Sequence, residues 1–408
     1  MSSDYCYVFV GIMATQTLGT KSSKNDTFVY GIWLKLLAIH ITVFLCSIVV
    51  PIAAMFPNLG FPCYFNALVD YSEMKLSEHN VAQHLTPTLF LESPEMFSYL
   101  TYSFIADCTS VCYYILGAIG VSRAHKYVDG LMTLSQWIRA VSSPSVVYMG
   151  MLRMWMLQLY VHTLSYKHIY LATFVYTGHF LISIVHIQCF TSRMEALWSQ
   201  RNTDRSLPHG SLLQRVVKYG RPLTINLQLA CLALDMLVFS LTFMMAIGNS
   251  FYVRVGDIVI ATINLYLGIT VLWYICTELW LHKHLPLQVG FYVGVLAGSI
   301  ILLLPVIRYD SIFMAANLHK FVAINIPIIP TLAIAALLVR VVRMRTWSNN
   351  TEYEPLNESN TEGKLMKNKA FSEPTTLPMS HKQYNNLRAN DTAVLAGETD
   401  DDSDESIF

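Results

Sequence analysis

Long apolar stretches alternate with short polar ones along most of the chain. The apolar runs cover about residues 30–55, 97–121, 145–164, 169–190, 222–247, 256–281, 288–307 and 320–342. Each approaches or exceeds the roughly 20 helical residues needed to cross a hydrocarbon core about 30 Å thick. In lipid every backbone amide and carbonyl must be paired within the structure, so each run predicts an α-helix. The pattern thus predicts an all-α, polytopic membrane protein with eight transmembrane helices. Only Ser165-Tyr166-Lys167-His168 separates the third run from the fourth, which predicts a tight turn between two crossings. Beyond Val342 the apolar runs stop. Residues 343–408 are polar, with scattered Pro and Asn, and predict a disordered tail that buries no core. The chain therefore divides into an N-terminal segment (1–29), a membrane domain (30–342) and a tail (343–408). The first long inter-helix loop spans about 56–96.

Composition agrees with a membrane class: 54% of residues are hydrophobic, 13% are charged, and the mean hydropathy is +0.43. A soluble domain of this length carries about a quarter charged residues. The net charge of zero averages two unlike parts. Residues 1–350 hold 22 Lys/Arg against 15 Asp/Glu, whereas residues 351–408 hold five against 12.

Orientation follows from the Lys/Arg bias of the short loops. With the N-terminus in the cytosol, that side collects Lys21, Lys24, Arg123, Lys126, Arg139, Arg193, Arg201, Arg205, Arg215, Lys218, Arg221, Lys283, Arg340, Arg343 and Arg345. The other side holds Lys75, Lys167, Arg254, Arg308 and Lys320. Both termini are predicted to be cytosolic. The apolar stretch 5–13 is too short to cross, and Asp4 stands where a signal peptide carries Lys or Arg, so it reads as a cytosolic extension.

This topology makes residues 56–95 the one long polar segment on the lumenal side. Of eight cysteines, Cys6 is cytosolic, and Cys46, Cys108, Cys112, Cys189, Cys231 and Cys276 fall within helices, where thiols behave as small hydrophobes. Cys63 alone faces the oxidising compartment, without an intrachain lumenal partner. Two readings fit it: a bond to a second chain, or a buried free thiol. The turn set by Gly60 and Pro62 presents the thiol and favours the first.

The loop sequence Phe56-Pro57-Asn58-Leu59-Gly60-Phe61-Pro62-Cys63-Tyr64, followed by Leu85-Thr86-Pro87-Thr88-Leu89-Phe90-Leu91-Glu92, resembles the herpesvirus envelope glycoprotein M family. Further matches are Leu164-Ser165-Tyr166-Lys167-His168, Gly248-Asn249-Ser250-Phe251-Tyr252 and Leu304-Pro305-Val306-Ile307-Arg308-Tyr309. The resemblance runs from about Lys21 to Arg343 and is nearest the gammaherpesvirus members. It implies eight spans with cytosolic ends, in agreement with the charge bias. It also implies a partner, the single-span glycoprotein N, docked on Asn58, Leu59, Gly60, Phe61, Pro62 and Tyr64 and bonded through Cys63. The sequence departs from the family at Lys75-Leu76-Ser77, where members carry an N-glycosylation sequon, and in the extension before Lys21. Sequons at Asn25, Asn349, Asn357 and Asn390 all fall on the predicted cytosolic side and are expected to be unused.

Asp107, Arg153 and Asp235 fall near the middle of their helices, and Glu278 near a cytosolic end. Such groups are costly in lipid and are functional candidates by default. Asp107 and Arg153 lie at similar depth, so an ion pair is expected. Its purpose has two readings, helix packing with partner docking or an ion pathway. His162, His179 and His186 read as packing histidines, and His282-Lys283-His284 as a membrane-surface cluster. Gly290, Gly294 and Gly298 recur every four residues and form one smooth face for close helix approach, either within the chain or with the partner's span.

In the tail, Tyr353-Glu354-Pro355-Leu356 and Tyr384-Asn385-Asn386-Leu387 each place Tyr three residues before a bulky apolar side chain, the pattern read by host clathrin adaptors. Asp400, Asp401, Asp402, Asp404 and Glu405 form an acidic cluster around Ser403 and Ser406, where phosphorylation would add negative charge. Ser406-Ile407-Phe408 has the form of a strand added to a PDZ-type groove.

No nucleophile–base set, phosphate loop, metal-ligand spacing or nucleic-acid motif is present in the sequence, so neither an enzyme, a cofactor protein nor a nucleic-acid binder is expected. The leading expectation is a viral envelope scaffold that binds glycoprotein N and membrane lipid. The tail signals suggest that such a chain would direct its partner to the trans-Golgi network, and the family resemblance implies roles in virion assembly, secondary envelopment and egress. Its expected locations are the virion membrane and host Golgi, endosome and inner nuclear membranes. The alternative is a transporter or channel using Asp107, Arg153 and Asp235. Paired breaks in symmetric halves would support that reading, and the sequence has none. Eight spans with a cytosolic N-terminus fit a receptor poorly.

Overall fold

The computed structural model describes residues 22–55, 75, 77–84, 93–127, 134–166, 168–191, 207–208, 210–280, 288–315 and 318–351. The chain forms two compact units, Met1–Arg345 and Thr346–Phe408, the second described only as far as Thr351. Among the described residues eight long helices dominate: α1 (Ser22–Met55), α2 (Ser93–Tyr127), α3 (Pro144–Ser165), α4 (Ile169–Thr191), α5 (Arg221–Ser250), α6 (Val255–Ile275), α7 (Gly290–Arg308) and α8 (His319–Thr351). Each coincides with one predicted apolar run. Among the described residues there is no strand, only one isolated antiparallel bridge between Asn80 and Arg254.

Seven of the eight are long and apolar enough to cross a membrane. The exception is α3, which at 22 residues is about 33 Å long by the 1.5 Å rise. Arg153, Gln158 and His162 dilute its apolar character. Arg153 is turned into the protein, with 2% of its surface exposed, so interior packing rather than lipid accommodates the charge. The expected tight turn is present: Tyr166 caps α3 and His168 donates its amide to Thr163 O at 3.2 Å.

Helix starts follow local chemistry. Ser143 is extended ahead of Pro144, whose missing amide costs nothing in a first turn. Ser211 Oγ accepts from Gln214 N at 3.2 Å and caps a short helix, Leu212–Arg215. That helix passes through a π turn, Val216–Gly220, directly into α5. A second π turn, Cys276–Trp280, closes α6. α8 continues through residues 343–351, so the stretch expected as the start of the tail is helical.

The core is organised on α5. Its buried positions occur on every side of the helix, including Gln228, Cys231 and Asp235, as expected of a helix enclosed by others. It packs on α2, α4, α6 and α7, while α3 and α4 form an antiparallel pair and α1 lies on α3. α8 is the opposite case. Val322, Ile326, Ile329, Ala333, Ala336 and Arg340 are buried along one stripe, while Phe321, Ile324, Leu332, Leu338 and Val342 are exposed. In a bilayer those exposed side chains face acyl chains.

Candidate functional site

At mid-membrane, α2, α3, α4 and α5 each contribute polar side chains to a buried seam. Asp107 on α2 and Arg153 on α3 form the expected ion pair through Oδ1 and Nη2. Gln228 on α5 ties the same carboxylate into the helix interface, donating from Nε2 to Asp107 Oδ1 at 3.4 Å, Ser110 Oγ at 2.9 Å and Ala106 O at 3.2 Å. Arg153 Nη1 reaches Cys231 Sγ at 3.8 Å. One turn further along α5, Asp235 Oδ1 accepts from Tyr99 Oη at 2.8 Å and lies 3.5 Å from His179 Nε2. Tyr176 Oη is 2.9 Å from Tyr99 Oη and 3.4 Å from the same carboxylate oxygen. The other ring nitrogen of His179 contacts Arg153 O at 3.0 Å, which links the two halves of the seam.

The histidines divide. His179 belongs to the seam. His186 is buried against Gly150 and His40, yet neither of its ring nitrogens has a hydrogen-bond partner, so it is not the satisfied packing histidine expected. His162 is exposed and stacks edge-on with Tyr166, 5.1 Å between centroids.

Two further charge clusters sit at the ends of the bundle. At one end, Glu95 at the start of α2 accepts from Arg308 Nη2 on α7 at 2.7 Å. At the other, Glu278 in the π turn binds Arg340 Nε at 2.8 Å and Arg343 Nη1 at 3.2 Å, and accepts from Tyr292 Oη at 2.8 Å.

The glycine row of α7 faces inward. A Cβ on Gly290 would collide with the backbone of Asn226, one on Gly294 with that of Ala230, and one on Gly298 would lie 2.6 Å from Tyr266 Oη. This close approach lets Asn226 Oδ1 accept from the amides of Val289 and Gly290 at 2.9 and 2.7 Å, pairing two groups that a helix start leaves open.

Part of the first loop is fixed to the end of the bundle nearest Glu95. Val81 donates its amide to Val253 O at 3.0 Å, and Val255 donates to His79 O at 3.1 Å, around the Asn80–Arg254 bridge. Val81 is buried against Gly248. The intervening turn places Tyr252 at φ 51°, an uncommon left-handed conformation for a bulky residue.

Other expected site residues lie outside the described residues: Asn58, Leu59, Gly60, Phe61, Pro62, Cys63 and Tyr64 of the loop, and Tyr353, Leu356, Tyr384, Leu387, Asp400, Asp401, Asp402, Asp404 and Glu405 of the tail. Asp107 with Arg153, and Gly290, Gly294 and Gly298 with α5 and α6, are brought together as described.

Several partners were not anticipated from the sequence: Gln228, Tyr99, Tyr176, Glu95 and Arg340. A signal for part of the set exists. Gln228, Cys231 and Asp235 follow i, i+3, i+7 spacing, and Tyr176, His179, Ser183 and His186 follow i, i+3, i+7, i+10, so each group shares one helix face. Among the described residues no cluster of three or more His, Cys, Asp or Glu could hold a metal ion. In the seam Asp107 Oδ1 and Asp235 Oδ1 are engaged by neighbouring helices, while Asp235 Oδ2 is buried without a partner.

Apolar helices around a seam of mutually engaged charges define a multi-pass membrane protein with a polar core. The profile of herpesvirus glycoprotein M matches residues 26–356. The chain is 56% identical over 336 residues to envelope glycoprotein M of alcelaphine herpesvirus 1, covering 82% of this chain and 90% of that one. It is 51% identical over 360 residues to the equine herpesvirus 2 protein of the same name, covering 88% and 95%. Against the Epstein–Barr virus protein (strain AG876) it is 49% identical over 340 residues, covering 83% and 84%. No solved structure matches the chain. The chain belongs to the herpesvirus glycoprotein M family, and is a viral envelope glycoprotein of the multi-pass type.

Proposed function

We propose that this chain is the scaffold of a two-chain envelope complex, carrying glycoprotein N through a bond at Cys63 and delivering it to the trans-Golgi network for envelopment and egress. The observation that carries the reading is where the other thiols lie. The six described cysteines, Cys46, Cys108, Cys112, Cys189, Cys231 and Cys276, are all free and all lie on helical segments. Cys46 is about 14 Å short of the α1 end at 1.5 Å per residue, too deep to meet a loop thiol. A lumenal Cys63 therefore looks outward for its partner. Fixing residues 79–81 on the α5–α6 turn anchors part of the same loop and supports its use as a docking platform. The predicted glycosylation-free loop leaves that surface bare, and no catalytic step is assigned.

Non-reducing and reducing gels of membranes or virions, wild type beside Cys63→Ser, test the link. A reducible band shift from one small partner is expected and is lost in the variant; no shift in wild type refutes the covalent bond. The tail is read by host clathrin adaptors at Tyr353-Leu356, with Tyr384-Leu387 and the acidic cluster assisting. Tyr353→Ala is expected to move the steady-state pool toward the cell surface, and unchanged Golgi staining would remove this signal.

A further inference from the structure

We infer that Glu278, Gln288, Arg340 and Arg343 form a binding site for the phosphate of an anionic phospholipid. The inference is independent of the partner assigned above. It starts from a charge imbalance: one carboxylate faces two guanidinium groups, Arg340 at 2.8 Å and Arg343 at 3.2 Å. Glu278 is 2% and Arg340 5% exposed, so this pair lies out of solvent while Arg343 sits at its edge. Glu278 is also the only acidic group at this end among residues whose side chains are described; Arg123, Arg139, Arg215 and Lys218 are exposed there.

The hydrogen-bond inventory points the same way. Tyr292 Oη, Arg340 Nε and Arg343 Nη1 occupy the Glu278 carboxylate, and Arg340 Nη1 is bound by Gln288 O. Two donors are left over: Arg340 Nη2 and Gln288 Nε2 are buried without a partner. Gln288 is itself only 7% exposed. Orphan donors in a cluster where one carboxylate already serves two guanidinium groups call for a further acceptor, and a negatively charged one binds most strongly there. No described side chain supplies it.

The place selects the ligand. The cluster joins the end of α6, the start of α7 and the last turns of α8, at the end of the bundle whose basic loops predict the cytosolic side. That leaflet carries the anionic lipids, and basic pockets between helices at headgroup depth take their phosphates. Arg343, with 41% of its side chain exposed, reaches the rim. The exposed flank of α8, including Leu338 and Val342, lies beside it for the acyl chains.

The test uses the full chain exchanged into mixed micelles of phosphatidylserine and phosphatidylcholine, with bound lipid read by native mass spectrometry. Phosphatidylserine is expected to be retained in preference. Arg343→Gln should weaken retention about fivefold, the equivalent of about 1 kcal/mol for one interfacial cation. Gln288→Leu should weaken it about threefold through loss of a donor. Both substitutions leave the Arg340–Glu278 bond in place, and monodisperse elution of each variant shows that it folds. Equal retention of the two lipids, or a preference untouched by both substitutions, overturns the site. Displacement of the lipid by excess inorganic phosphate would overturn phospholipid as the occupant, whereas resistance to it supports the lipid.

Discussion

Two of the bundle's buried charge clusters, one at mid-membrane and one at its basic end, are built on different balances. Asp107 and Arg153 match one for one, and α5 holds both through Gln228 on the Asp107 carboxylate and Cys231 on Arg153 Nη1, although Arg153 Nε is left without a partner. Glu278 meets two arginines, one of them open to the surroundings, with two donors unspent. A balanced cluster far from water serves to lock neighbouring helices. The unbalanced one at headgroup depth retains capacity to bind.

The comparison breaks most readily at its centre. Arg153→Ala should cost about 3–5 kcal/mol, because Asp107 is left charged and unpaired in the interior. Loss of monodisperse protein after extraction is the expected readout. Asp107→Leu combined with Arg153→Met should recover most of that yield; a double variant as poor as the single one would show that balance is not what matters. Gly294→Leu comes next, at roughly 1–3 kcal/mol or more from overpacking against Ala230. Gly268→Leu is its control, since a Cβ there meets nothing within 4 Å and should leave the melting temperature unchanged. Equal effects at the two glycines would refute close packing of α7 on α5. Arg343→Gln is the mildest. Because Arg340 still holds Glu278, a partly exposed ion pair is lost at about 0–1 kcal/mol, and a melting shift as large as that of Arg153→Ala would erase the distinction between the clusters.

Much of this was legible from the chain. All eight apolar runs became helices, and the Asp107–Arg153 pair followed from equal depth. Periodicity reports which residues share a face but not which helix that face meets. Hence Tyr99, Tyr176 and Gln228 passed as ordinary span residues until α2, α4 and α5 were set side by side. Glu95 and Arg308 are 213 positions apart, and no local pattern joins them. His186 shows the converse: its position was evident, but its unpartnered nitrogens depend on what Gly150 and His40 leave around it.

The sequence by itself determined the class, the number of long helices and the alternation of basic and less basic ends. Hydrocarbon imposes those through length and hydropathy alone. Only the tertiary structure decided that α5 is the enclosed helix while α8, like α1, faces largely outward, that the α7 glycines meet α5, and that Asp107 meets one arginine whereas Glu278 meets two. Helices of similar apolarity can exchange neighbours with little change in hydrophobic free energy, so close packing and pairing of the few buried polar groups choose among arrangements.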